Sequence, residues 1–108
     1  MNSREKGKRG ERELASLLRE YGYDAHRGQQ YSGAGEDDVT GLDGIHIECK
    51  LRDRLNIEQA YDQSKRDAAR RGDIPTVMHR KTNDPYKTGW LVTLSLEHFI
   101  SLYKEWSR

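Results

Sequence analysis

The chain has 108 residues, 33% hydrophobic and 34% charged, which leaves room for one thin core under a densely charged surface. A single cysteine, Cys49, excludes an intrachain disulfide framework, and no apolar run approaches the roughly 18 residues of a membrane span. A net charge of +1 taken alone argues against a nucleic-acid partner, but the charge is segregated: Arg4, Lys6, Lys8, Arg9 and Arg12 at one end, Lys65, Arg66, Arg70 and Arg71 in one helical stretch, then Arg80, Lys81 and Lys87, with the acidic run Glu36, Asp37, Asp38 between them.

Residues 1–108 read as one domain. Met1 to Arg12 alternates charge with glycine and lacks the apolar stretch of a secretory signal, so the expected compartment is the cytoplasm. From Arg4 to Tyr21, Leu14, Leu17, Leu18 and Tyr21 recur at helical spacing, and Gly22 stands where a helix would close. Tyr23 to Arg27 reads as a short strand, and Gly28 to Gly35 as a loop rich in Gly, Gln and Ser. Asp38 to Gly41 and Gly44 to Leu51 read as paired strands. In the second, Ile45, Ile47, Cys49 and Leu51 alternate with His46, Glu48 and Lys50, which puts the apolar set on one face and the ionisable set on the other. Asn56 caps a helix from Ile57 to about Arg71, closed by Gly72. Ile74 to Arg80 and Trp90 to Leu94 read as strands separated by Asn83, Asp84 and Pro85, and Ser95 caps a last helix whose amphipathic face holds Phe99, Leu102, Tyr103 and Trp106. The expected fold class is α/β, a mixed sheet flanked by helices in the order αβββαββα.

The chemistry is concentrated in Asp38-Val39 and Ile47-Glu48-Cys49-Lys50. A three-residue loop of Leu42, Asp43 and Gly44, with glycine in the left-handed position, sets Gly41 opposite Ile45 and therefore Asp38 opposite Glu48. Directly paired residues share a face, with Cβ atoms about 5 Å apart. Two carboxylates that close repel unless a cation lies between them, and oxygen donors without a thiolate or imidazole cluster suit Mg²⁺ or Mn²⁺ better than zinc. The backbone carbonyl of Cys49 lies between the ligands and could complete the shell; Lys50 would orient or deprotonate a water. Asp37 could replace Asp38 only through a slip of register that turns Asp38 into the core. His26, His46, His79 and His98 are scattered and read as bland, and Trp90 and Trp106 as core or interface residues. Ser32, without a partnered histidine and acid, is no nucleophile.

Gly10-Glu11-Arg12-Glu13-Leu14, Arg27, Ser32-Gly33, Asp38-Val39 and Ile47-Glu48-Cys49-Lys50 together resemble the archaeal-type Holliday junction resolvases, within the PD-(D/E)XK nucleases. Ala68 to Pro75, His79-Arg80-Lys81 and Gly89-Trp90-Leu91-Val92-Thr93 look like small resolvase-like nucleases of bacterial viruses and prophages. The resemblance implies a Mg²⁺-dependent endonuclease, a homodimer in which each chain contributes one cut to branched DNA and leaves a 5′-phosphate. It implies that Asp38 and Glu48 are metal ligands, that Lys50 is the catalytic lysine, and that Glu11 assists at the metal, through water. Arg12 and Arg27 match basic residues needed for cleavage, Lys8 and Arg9 extend that basic stretch toward the DNA, and Ser32 matches a loop serine near the cut, in a loop with extra residues Gln29 to Tyr31. By analogy with other PD-(D/E)XK nucleases, Gln63 is expected behind the ligands. Removing Asp38 or Glu48 is expected to delete an ion site and spare the core. A nuclease for flaps, nicks or restriction-like targets, and a DNA-binding module that does not cut, are the rival readings.

Overall fold

The computed structural model describes residues 3–28, 37–84 and 89–108; Ser32 with its loop, Glu36, Pro85 and Lys87 lie outside them. Within these, the elements run α1 (Ser3–Glu20), β1 (His26–Arg27), β2 (Val39–Thr40), β3 (Ile45–Leu51), α2 (Ile57–Ala68), β4 (Ile74–Arg80), β5 (Leu91–Thr93) and α3 (Leu96–Trp106), which is the expected order. They form an α/β fold whose five strands lie in the order β1-β2-β3-β4-β5. The sheet is mixed: β3 and β4 are parallel, while β1-β2, β2-β3 and β4-β5 are antiparallel. A parallel pair cannot be joined by a tight turn, so α2 serves as the crossover.

Differences from the expected boundaries have local causes. β1 is shorter because the preceding residues close α1: Tyr23 N donates to Leu18 O at 3.1 Å and Gly22 N to Arg19 O at 2.9 Å, with Gly22 at φ 101°. At the hairpin Gly44, at φ 85°, takes the left-handed backbone that the loop count requires. α2 stops at Ala68 rather than Arg71, because Asp73 N folds back to donate to Ala68 O at 3.1 Å around Gly72. The caps are as expected: Asn56 accepts from Gln59 N and Ser95 from His98 N, each at 3.1 Å.

The core lies between α1 and the sheet, where Leu14 and Ala15 pack with Ala25, Val39, Ile47, Cys49 and Met78. Gly10 permits this closeness, since a Cβ added there would sit 2.9 Å from Leu51 Cβ. Glu13 ties α1 to β4 and to the residue before β5: it takes Arg80 Nε at 2.5 Å and Nη2 at 2.7 Å and Trp90 Nε1 at 2.9 Å. The Arg80 guanidinium holds the Glu13 carboxyl below its usual range, against a smaller opposing effect of burial. Trp90 is half-buried and packs against the core.

The amphipathic face of α3 is left largely uncovered. It has no buried residue: Leu96 is 75%, Phe99 51%, Tyr103 49% and Trp106 79% exposed. Leu91 and Val92 of β5 are exposed as well. Phe99, Tyr103 and Trp106 adjoin one another along α3, so the exposed apolar residues form one face of the helix.

Candidate active site

β3 positions the site. The strand alternates as the sequence requires, but its ionisable face is not open to water: His46 is 1% and Glu48 2% exposed. The reason is α2, which packs over β3 and β4 through the small residues Ala60, Ser64 and Ala68, one turn apart on one face. Ser64 Oγ donates to Thr76 O and Thr76 Oγ1 to His46 O, each at 2.8 Å, pinning helix to sheet at this point. β3 is therefore a central strand covered on both sides, and its charged residues need partners where the sequence suggested solvent.

Asp38 enters from the end of β2. The pairing of Val39 with Ile47 continues to Asp38 opposite Glu48, the register the loop count demands. Asp38 Oδ2 accepts the backbone N–H of Cys49 at 2.8 Å, which fixes the carboxylate against the strand. Burial, and next the charge of Glu48, push the Asp38 carboxyl up to about 7, with Cys49 N–H acting in the opposite direction. Lys50 Nζ lies 3.7 Å from Glu48 Oε2. Glu11 reaches the same place because α1 crosses β3 so closely at Gly10, and Gln63 reaches it from α2. Glu11, Asp38, Glu48, Lys50 and Gln63 all line one cleft of about 710 Å³. The Cys49 thiol lies in the core, and burial raises its pKa far above the ordinary range.

The basic residues divide differently. Arg27 Nε donates to Glu11 Oε1 at 2.9 Å, which ties Arg27 to the edge of the site. Arg12 and Arg9 are exposed on α1 and Lys8 is half-buried, and none of the three lines the cleft. Lys6, Arg52 and Arg54 do. The last two were missed by sequence reasoning, although they follow directly on the Glu48-Cys49-Lys50 strand and so had to emerge at its end. Ser32 lies outside the described residues.

His46 and Asp37 are the other residues that sequence reasoning passed over. His46 Nδ1 is hydrogen-bonded to Asp37 Oδ1, a close contact with both side chains buried, and His46 Nε2 lies 3.3 Å from Glu48 Oε1. Arg71 Nη1 approaches the second oxygen of Asp37 at 3.7 Å. Burial alone would lower the His46 pKa; the hydrogen bonds to Asp37 and Glu48 prevail and push it up to about 9. The usable signal was the alternation itself, since His46 is two residues before Glu48 on the same face. His46, Glu48 and Asp67 also lie close together, with both ring nitrogens of His46 already facing carboxylates, Nδ1 that of Asp37 and Nε2 that of Glu48.

The family model described as archaeal Holliday junction resolvase (Hjc) matches residues 2–64. No curated protein matches the chain. The matched span runs from the head of α1 into α2 and takes in Glu11, Asp38, Glu48, Lys50 and Gln63.

Proposed function

The chain belongs to the archaeal Holliday junction resolvase family, and from that membership we propose that it is a divalent-cation-dependent endonuclease that cuts four-way DNA junctions as a homodimer. The observation that carries the chemistry is the opposition of Asp38 and Glu48 in one cleft with Lys50 and Glu11. The donor set fits Mg²⁺ or Mn²⁺: carboxylate oxygens face the cleft, the Cys49 thiol is turned into the core, and His46 is engaged elsewhere. Asp38 and Glu48 would hold the ion, with the Cys49 carbonyl beside them and Glu11 at the rim through water. Such an ion, when bound, offsets charge at the scissile phosphate and lowers the pKa of a water. The residues do the rest. Lys50 would orient the attacking water or, in its neutral form, deprotonate it, Gln63 supports the ligands from α2, and Lys6, Arg52 and Arg54 hold phosphates along the cleft.

Incubation with four-way, flap and linear duplex DNA, in Mg²⁺ or EDTA, tests the proposal. The expected result is paired nicks with 5′-phosphate ends on the four-way substrate only with the ion present. Equal cutting of flaps or linear duplex would favour a nuclease of other targets. Binding without cutting would favour a DNA-binding module, which the full set of carboxylates and lysine argues against. Lys50→Ala should lower the cleavage rate by about 10² to 10⁴, as loss of a proton-handling group does. A loss below about tenfold would leave Lys50 only its ion pair with Glu48.

Neutralising Arg54 or Arg12 should weaken binding to all DNA shapes and flatten the salt dependence by roughly one unit of slope for each phosphate that the side chain neutralises. A salt titration reads this directly, and an unchanged slope would mark the residue as merely solvated.

Two symmetric incisions across a branch call for a two-fold assembly, and the exposed apolar face of α3 is the surface best suited to it. Sedimentation at micromolar protein should give twice the 12.6 kDa chain mass. Phe99→Asp or Trp106→Glu should return the monomer mass and leave nicked circles where the dimer gives linear product from a cruciform plasmid. A wild-type protein that sediments as a monomer and only nicks would sink the resolvase assignment while sparing the nuclease one.

A further inference from the structure

Glu48 is a buried carboxylate whose two oxygens have different neighbours. Oε1 lies 3.3 Å from His46 Nε2, and Oε2 lies 3.7 Å from Lys50 Nζ. His46 in turn is held from behind by Asp37, whose other oxygen meets Arg71. The series Arg71, Asp37, His46, Glu48 therefore runs from the end of α2 through the buried layer under that helix to the rim of the cleft. Its backbone is fixed as well, because the carbonyl of His46 accepts Thr76 Oγ1. A glutamate has three side-chain torsions, and nothing else among the hydrogen bonds of the described residues engages Oε1.

We propose that His46 is a positioning residue for Glu48: by donating from Nε2 to Oε1 it selects the rotamer that turns Oε2 toward the ion site, with Asp37 fixing the imidazole from the other side. This rests on the nuclease reading, in which Glu48 is a ligand. Ligand carboxylates are oriented by hydrogen bonds of this kind, and removing the orienting partner lowers metal affinity by about 10- to 100-fold. Neither Asp37 nor His46 lines the cleft, and of the two proposed ligands it is Glu48 that His46 contacts.

Two substitutions separate the two hydrogen bonds. The amide nitrogen of Asn stands close to the place of Nδ1 and that of Gln close to the place of Nε2, so His46→Asn keeps the donor to Asp37 while His46→Gln keeps the donor to Glu48. Both remove the ring, so the variants differ in which of the two hydrogen bonds survives.

The measurement is calorimetric titration of Mn²⁺ into protein without DNA, with thermal unfolding recorded for each variant. His46→Gln should stay within about threefold of wild type and His46→Asn should bind about 10- to 100-fold more weakly. Equal affinities in all three proteins, or equal losses in both variants, would overturn the positioning role. A wild type that binds no Mn²⁺ would remove the metal site, and this inference with it. Should a variant not fold, the unaltered protein gives the answer: the His46 Nε2 resonance should move with Mg²⁺ at the concentrations that saturate the site, while those of His26 and His98 stay still. An unmoved His46 resonance overturns the proposal.

Discussion

Asp38→Asn should abolish junction cleavage, by about 10³-fold or more, because the stabilisation an ion gives the reacting phosphate is worth several kcal/mol and about 1.4 kcal/mol is one decade of rate. Folding should survive the change. Asn keeps an oxygen for the Cys49 N–H bond, and the substitution removes a carboxylate that burial and Glu48 already disfavour. The sign follows from the raised pKa: an acid that is harder to ionise when folded costs stability above its unfolded pKa, and the cost is fully present above about pH 7. Without metal at pH 8, Asp38→Asn should therefore melt higher than wild type, and the difference should shrink as the pH falls toward 5. In wild type the same shift makes Mg²⁺ binding release a proton, so affinity should rise from pH 6 to 8. Junction binding should persist or tighten, since a negative charge facing phosphates is gone. Full cleavage by the purified variant would remove Asp38 from the site.

Glu48→Ala should be equally inactive but unlike Asp38→Asn in stability. From the sequence, either carboxylate could be removed at the expense of an ion site alone. The structure corrects this for Glu48, which is 2% exposed and faces a buried His46 whose pKa is raised to about 9. Deleting Glu48 leaves His46 one carboxylate fewer in a covered layer, and breaking a buried pair from one side costs about 3–5 kcal/mol. The loss should be largest at neutral pH and below, where the imidazole is charged, and should narrow as the pH rises through about 9. Glu48→Gln, which keeps an acceptor for Nε2, should be inactive and considerably more stable than the Ala variant. Denaturant unfolding of the two at pH 7 separates the effects; equal stability of Glu48→Ala and wild type would mean that His46 does not depend on Glu48.

The sequence by itself determined the strand chemistry of this protein. Period-two alternation from Ile45 to Leu51 fixed which residues share a face, and a glycine-closed loop of three residues fixed the register that puts Asp38 opposite Glu48. Both are local constraints, carried by a few neighbouring residues, and so they can be read without knowing what lies across the sheet. What covers each face is a long-range matter. That α2 would come down on the ionisable side of β3, converting Glu48 and His46 from solvated to buried groups and drawing Asp37 in as a partner, depended on the crossover to β4 and on the close fit of Ala60, Ser64 and Ala68. Likewise the α3 pattern of Phe99, Tyr103 and Trp106 declared an apolar face but not its destination, because amphipathicity states that a surface must be covered and leaves open whether the same chain or another covers it. Only the tertiary structure decided that the chain itself leaves α3 bare while placing Trp90 against Glu13 and Arg80.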